Sequence, residues 1–179
     1  MIGSTRPNRI CPDIADWFLR TVRPASALSY DLIDLAVVDL PFLDEPQMAS
    51  TGIYNHEHTR LWSERVLSYD AFVFVFPQYN WAYPAVLKNA IDFLYAEWAG
   101  KPAGIVTYGT HGGGKGAAQW GSVLQGIHMN RAEAAVLLSI PSNAKDEPDW
   151  MRDLDGKLAQ FVPDVLRLDA ELTALLVAP

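Results

Sequence analysis

Hydrophobic positions along this chain switch between the three-to-four-residue step of a helix and the unbroken or alternating runs of a strand. In "PDIADWFLRTV", Ile14, Trp17, Phe18 and Val22 recur at helical spacing, with Pro12 in the first turn. "LSYDLIDLAVV", residues 28 to 38, reads as a strand. Residues 39 to 56 are rich in Pro, Asp and Gly and long for a connection, so this segment is expected to fold over a site or a partner. A helix follows from Glu57 to Leu67, then "DAFVFVFP" (70 to 77), whose Val and Phe run predicts a strand over 71 to 76 buried on both faces. "PAVLKNAIDFLYAEW" (84 to 98) sets Val86, Leu87, Ala90, Ile91, Leu94 and Trp98 on one broad helical face, and Gly100 ends it. A strand over 102 to 108, a helix over 117 to 128, a strand over 132 to 140 and a last helix over 150 to 175 complete the pattern.

Strands and helices taken strictly in turn predict an α/β fold, a doubly wound parallel sheet of flavodoxin-like order 2-1-3-4-5 formed by one domain over 1 to 179. Such a sheet needs a strand feeding the first loop, yet only Met1 and Ile2 precede Gly3. Strand 1 is therefore expected to be truncated or nearly absent. As an interior strand it would leave its neighbours with unpaired backbone groups.

Composition narrows the function. The 179 residues are enough for one substantial core, and the net charge of -7 with no dense basic cluster argues against nucleic acid. Apolar runs fall well short of the roughly 18 residues of a membrane span, so the expectation is a cytoplasmic protein without membrane association. Cys11 stands alone, which excludes an internal disulfide and reads as a buried small residue near a helix start ahead of a reactive thiol.

In parallel sheets, ligands gather at the carboxyl ends of strands, and three loops fall there. "GSTRPNR" offers hydroxyls, amides, Arg6 and Arg9 ahead of a helix N-terminus, either as a cup for a terminal monophosphate or as a polar capping turn. "PQYNWAYP" supplies flat and amide-bearing side chains, with Trp81 placed to line a pocket or to pack at an interface. "GTHGGGKG" resembles a P-loop, but Gly116 replaces the magnesium-binding hydroxyl. Its "HGGG" has no G-x-S-x-G partner anywhere in the chain, so a hydrolase is set aside. The loop reads as a close backbone approach to a planar ligand or as an ordinary turn. "NHEH" lacks a third metal ligand at a plausible position, so no metal is expected. A flat ligand with a phosphate tail and a hydrogen-bonding edge satisfies all three loops: FMN.

Over nearly its whole length, through "GSTRPNR", "PQYNWAYPAVLKNAIDFLYAEW" and "GKPAGIVTYGTHGGGKGA", the chain resembles the NADPH-dependent FMN reductases, and among them the fungal-type NAD(P)H:quinone reductases. The resemblance implies that Ser4, Arg6 and Arg9 hold the FMN phosphate. It implies that Pro77, Gln78, Tyr79, Asn80 and Trp81 contact the ring system, flanked by Tyr108, Gly109, His111, Gly112 and Gly113. Many members carry Glu where Gln78 stands. The implied activity is ping-pong hydride transfer from NADPH or NADH through FMN to a quinone, azo compound, free flavin or metal oxyanion, with no catalytic side chain. The implied assembly is a homodimer through the 84 to 98 helix. A flavodoxin-type electron carrier and a non-catalytic flavin-binding module are the alternatives.

Overall fold

In the computed structural model, which describes residues 1–178, the Val and Phe run forms strand β1 (Phe72–Pro77) at the centre of the core. Phe72, Phe74 and Phe76 enter one hydrophobic cluster and Val75 the other, as the two-residue period of a strand requires. β1 pairs in parallel with β2 (Pro102–Gly109), matching Phe72 to Ala103 and Pro77 to Tyr108, and β2 pairs in parallel with β3 (Asn130–Ser139). β1 and β2 are buried nearly throughout, whereas β3 alternates between buried and exposed positions. β3 is thus the strand with one face towards water.

Helices cover both faces. α1 (Cys11–Val22) and α8 (Val162–Val177) pack on the side of Val75, Val106 and Val136. α3 (Glu57–Leu67), α4 (Ala85–Asp92) and α5 (Gly114–Gly126) pack on the side of Phe74 and Ile105. The second side is an aromatic layer, in which the Trp120 ring meets Phe74, Phe76 and Tyr83 at centroid distances of 5.2, 5.8 and 5.0 Å. Tyr83 belongs to the loop after β1 and Trp120 to α5, so this contact clamps two of the three expected site loops against the same core.

Several expected elements come out differently. Residues 28 to 38 form no strand: a single bridge at Asp34 is followed by a short helix, here α2 (Leu35–Val38). The Asp34 carboxylate accepts the Ala36 amide at 3.0 Å, turning the chain into that helix. The 84 to 98 helix stops at Asp92 and resumes as a single turn over 96–98, because the buried Glu97 carboxylate holds the Tyr95 amide, the Tyr54 hydroxyl and the Ser63 hydroxyl. The last helix is divided into α6 (Pro148–Arg152), α7 (Leu154–Leu158) and α8. Asp153 caps α7, and α8 begins with Pro163 in its first turn. α5 starts three residues earlier than expected, at Gly114.

Among the described residues, the sheet has three full strands in the order β1-β2-β3, and the two further strands of the expected order are represented only by isolated bridges. What stands in place of strand 1 is Ile2, which bridges Asp34 on one side and Val75 on the other, both in parallel. The Ile2 amide donates to the Ile33 carbonyl at 2.7 Å, and the Gly3 amide to the Val75 carbonyl at 2.8 Å. Gly3 is packed so closely that a Cβ there would lie 2.9 Å from Leu87 Cδ1 and 3.2 Å from both Phe76 Cβ and the Val75 carbonyl oxygen. Leu87 can rotate away, but the other two are fixed by β1. Gly3→Ala is expected to lower stability by about 1–3 kcal/mol, read as a reduced urea midpoint at unchanged slope.

Candidate functional site

The first loop leaves the sheet at Gly3 and enters α1. Ser4 is fully buried, and its hydroxyl lies 3.1 Å from the Tyr79 hydroxyl, a hydrogen bond that joins the loop before α1 to the loop after β1. Thr5, Arg6, Pro7 and Asn8 are exposed, with Asn8 in the left-handed region at φ 57°. No side chain caps the first turn of α1, so its amides and the positive end of its dipole are open to an anion.

Arg9 is engaged elsewhere. Its guanidinium forms a bidentate pair with Asp34 at 2.7 and 2.6 Å and also donates to the Ser4 carbonyl. Burial alone would push the Asp34 carboxyl up, but the Arg9 guanidinium and the Ala36 amide outweigh it and hold the group below the usual carboxylate range. Arg9 thus braces the loop from behind, and Arg6 is its exposed cation.

The second loop turns tightly after β1. The Gln78 amide donates to the Tyr108 carbonyl at 2.8 Å, prolonging the strand pairing by one residue. The Gln78 side-chain oxygen accepts the Gly116 amide at 2.9 Å, so it is committed to the first turn of α5. Tyr79 and Ala82 exchange two backbone hydrogen bonds of 2.9 Å around Asn80 (φ 46°) and Trp81 (φ 73°). Positive φ at both central positions is the geometry of a type I′ turn, in which asparagine is at home and tryptophan is strained.

Trp81 is 63% exposed, which removes core packing as its role. Its backbone oxygen accepts Gln119 Nε2 at 3.0 Å, and Lys115 Nζ sits 3.1 Å from its ring centroid. The residues that hold Trp81 are therefore on α5, which packs directly against the turn. Lys115 lies inside the glycine motif of the sequence, but its stacking on Trp81 depends on a turn that cannot be read from spacing.

The third loop follows β2. The Gly112 amide donates to the Gly109 carbonyl at 3.1 Å, and the Ile140 amide donates to the same carbonyl at 3.0 Å. Gly112 and Gly113 take φ of 80° and 72°, and a Cβ on Gly113 would fall 2.6 Å from Thr107 Oγ1. Glycine is thus required by the turn itself. His111 is exposed and pairs with the hydroxyl of its neighbour Thr110. Pro77 and Tyr108, matched across β1 and β2, are buried at the strand ends and form the floor. Burial, with Cys11 beside it, raises the Tyr108 phenol above its ordinary value.

The structure brings Ser4 and Tyr79 into contact, and Pro77, Gln78, Tyr108 and Gly109 to neighbouring strand ends. Gly112 and Gly113 follow on the same loop. Arg6, Asn80, Trp81 and His111 are exposed at the rim. The set comprises an uncapped helix N-terminus with a cation and a buried hydroxyl, a projecting aromatic side chain, and a tight glycine turn at the end of β2. That donor chemistry fits a planar group with an anionic tail. The "NHEH" histidines lie apart from it: their rings stack on each other at 5.2 Å, and His58 pairs with Asp44 at 2.9 Å.

The family described as NADPH-dependent FMN reductase matches residues 1–142 of this chain. An NAD(P)H-dependent FMN reductase of Schizosaccharomyces pombe is 43% identical over 143 residues, covering 79% of this chain and 72% of that protein. One of Saccharomyces cerevisiae is 39% identical over 179 residues, covering 94% and 92%. Among solved structures, FerB, a flavoenzyme NAD(P)H:(acceptor) oxidoreductase of Paracoccus denitrificans, superposes with a TM-score of 0.63 at 20% identity, covering 93% of this chain and 94% of that one.

Cys11 is fully buried in the first turn of α1 with its thiol donating to the Val75 carbonyl at 3.2 Å, and burial pushes it up to about 11. At pH 8 about one thiol in a thousand is then thiolate. Native protein is expected to react with a disulfide reagent at least a hundredfold more slowly than the urea-unfolded chain, measured by thiol release at 412 nm.

Proposed function

The chain belongs to the NADPH-dependent FMN reductase family, and we propose that the crevice at the carboxyl ends of β1 and β2 is where its FMN is held and its substrates meet. The protein is an FMN-dependent oxidoreductase that uses NAD(P)H. The observation that carries the placement is the Ser4–Tyr79 hydrogen bond, which sets the anion-accepting turn and the aromatic turn side by side.

Arg6, the Ser4 segment and the open amides of α1 hold the phosphate. Arg9, paired with Asp34, positions that loop. Tyr79, Asn80 and Trp81 border the ring, and the Gly109 to Gly113 backbone meets its polar edge. FMN supplies the two-electron chemistry between nicotinamide and acceptor. The chain's part is to bind, to orient and to place backbone dipoles near developing negative charge. The exposed Trp81 ring gives a planar nicotinamide or acceptor a face to stack on, and the two take turns in the same slot. Lys115 covers one face of the ring, leaving the other for that stacking, and supplies a cation in a chain of net charge -7 that must receive an anionic dinucleotide. Quinones, azo compounds, free flavin and metal oxyanions are the acceptor classes of this reading, and a reducing cytoplasm is its setting.

We infer a homodimer as well. Leu87, Ala90, Ile91, Leu94 and Trp98 are buried within one chain, so that face of the 84 to 98 region is not available to a partner. The 41 to 53 segment docks on α4 through Asn89, which binds the Pro41 carbonyl at 2.7 Å and the Leu43 amide at 3.0 Å. Phe42, Met48 and Ile53 are exposed on that segment, and with the outer side of α4 they form the interface of the proposal.

Three measurements check these readings. Arg6→Ala is expected to weaken FMN binding about tenfold or more, read by flavin fluorescence titration, and an unchanged affinity removes Arg6 from the phosphate site. The FMN-loaded protein is expected to bleach on adding NADPH without another enzyme, whereas bleaching only with a protein reductase would make it an electron carrier. Light scattering is expected to give twice the chain mass, falling towards one chain for Phe42→Glu with Met48→Glu.

A further inference from the structure

Carboxylates are missing from the segments that build the crevice. Of the 21 Asp and Glu residues, none falls within residues 1–12, 71–91 or 98–132, which carry the three loops, β1, β2 and all of α5. Two cations on those loops make no ion pair among the described residues: Arg6, ahead of α1, and Lys115, in the first turn of α5. In a chain of net charge -7, these segments are where an anion meets least repulsion. Under the reading given above, two phosphate-bearing molecules use the crevice, FMN and a nicotinamide dinucleotide. Arg6, with the open amides of α1, is matched to the first. Lys115 is left for the second, on a different helix.

No carboxylate holds Lys115 where it is. Its Nζ rests 3.1 Å from the centroid of the Trp81 ring, a contact weaker than a charge-assisted bond to phosphate. The side chain is exposed and its stem is flexible, so the ammonium can leave the ring without a backbone movement. Backbone donors adjoin it. The Gln78 side-chain oxygen takes the Gly116 amide, whereas the amides of Gly114 and Lys115 have no partner among the described residues, and the N-cap Gly113 has no side chain to offer them. α5 is 13 residues long, and its N-terminal dipole adds to the pull on an anion. An ammonium, two free amides and a helix N-terminus are the donors a phosphate group uses, here next to an aromatic face suited to a planar ring.

We propose that Lys115 binds a phosphate of the nicotinamide dinucleotide, its ammonium passing from the Trp81 ring to that phosphate beside the Gly114 and Lys115 amides. This rests on the reading that FMN and NAD(P)H meet in the crevice, and it names the side chain that recruits the dinucleotide. The 2′-phosphate and the pyrophosphate share the required chemistry, and they give different patterns with NADP+ and NAD+. An acceptor without phosphate makes no use of Lys115.

The test is titration calorimetry of the FMN-saturated protein with NADP+ and with NAD+, for wild type, Lys115→Met and Lys115→Arg, alongside kcat/KM for NADPH, NADH and neutral p-benzoquinone. Lys115→Met keeps an unbranched stem against Trp81 and removes the charge. It is expected to weaken NADP+ binding and to lower kcat/KM for NADPH by about fivefold or more. Its kcat/KM for p-benzoquinone is expected to stay within about twofold, and Lys115→Arg is expected to restore dinucleotide binding. Added salt is expected to weaken NADP+ binding to wild type more than to Lys115→Met. A loss confined to NADP+ and NADPH assigns the 2′-phosphate, and an equal loss with NAD+ and NADH assigns the pyrophosphate. Either pattern upholds the proposal. Unchanged dinucleotide affinity in Lys115→Met overturns it, as does a loss shared equally by p-benzoquinone and not restored by Lys115→Arg, which would make Lys115 a support for Trp81 alone. The two readings separate. If NADPH bleaches wild type and Lys115→Met with equal kcat/KM, the redox reading stands and the Lys115 assignment falls. If NADPH bleaches neither while Lys115→Met loses the NADP+ binding of wild type, the assignment stands and the redox reading falls.

Discussion

The pairing of Ile2 on both of its edges is the constraint on which the site depends. One residue, hydrogen-bonded towards Ile33 and Leu35 on one side and flanked by Met1 and Gly3 bonds to Val75 on the other, ties the first loop to the sheet. From that anchor Gly3 is pressed against Phe76, Ser4 is carried under Tyr79, and α1 is launched with an open N-terminus. Arg9 reinforces this anchor by tying the Ser4 carbonyl to Asp34, the same residue that Ile2 bridges. The ion pair is only partly exposed, which shields it more from salt than an open surface pair would be.

Around the crevice, local strain is offset by contacts from a different element. A left-handed tryptophan costs roughly 1–3 kcal/mol, and Trp81 is held in that state by two turn hydrogen bonds, by Gln119 and by Lys115. The supports come from α5, whose first turn also receives the Gln78 side chain. Loop and helix are thus one unit. The Trp120 layer beneath gives that unit a rigid bed, since its ring touches Phe74 and Phe76 of β1 and Tyr83 of the loop at once. A substituted residue on α5 can therefore alter the aromatic turn without touching it.

Much of this was legible in the chain because it is written in short-range periodicity. The three parallel strands, the helix from Glu57 to Leu67, and the glycine turn after β2 follow from local patterns that no distant partner needs to complete. Where expectation and structure part, a partner far along the chain decides. Residues 28 to 38 have the composition of a strand, but a strand needs an edge to pair with, and Ile2 offers room for one bridge. The 84 to 98 helix has one apolar face throughout, yet a buried Glu97 gathering hydroxyls from Tyr54 and Ser63 breaks it after Asp92.

The sequence by itself determined the alternation of elements, the chemistry of the three loops and the family, because residue type and spacing carry those directly. Only the tertiary structure decided that Arg9 serves Asp34 and that Lys115 lies on Trp81. Each of these is a contact between segments tens of residues apart, and no local period encodes which of several possible partners a side chain or a backbone edge will meet.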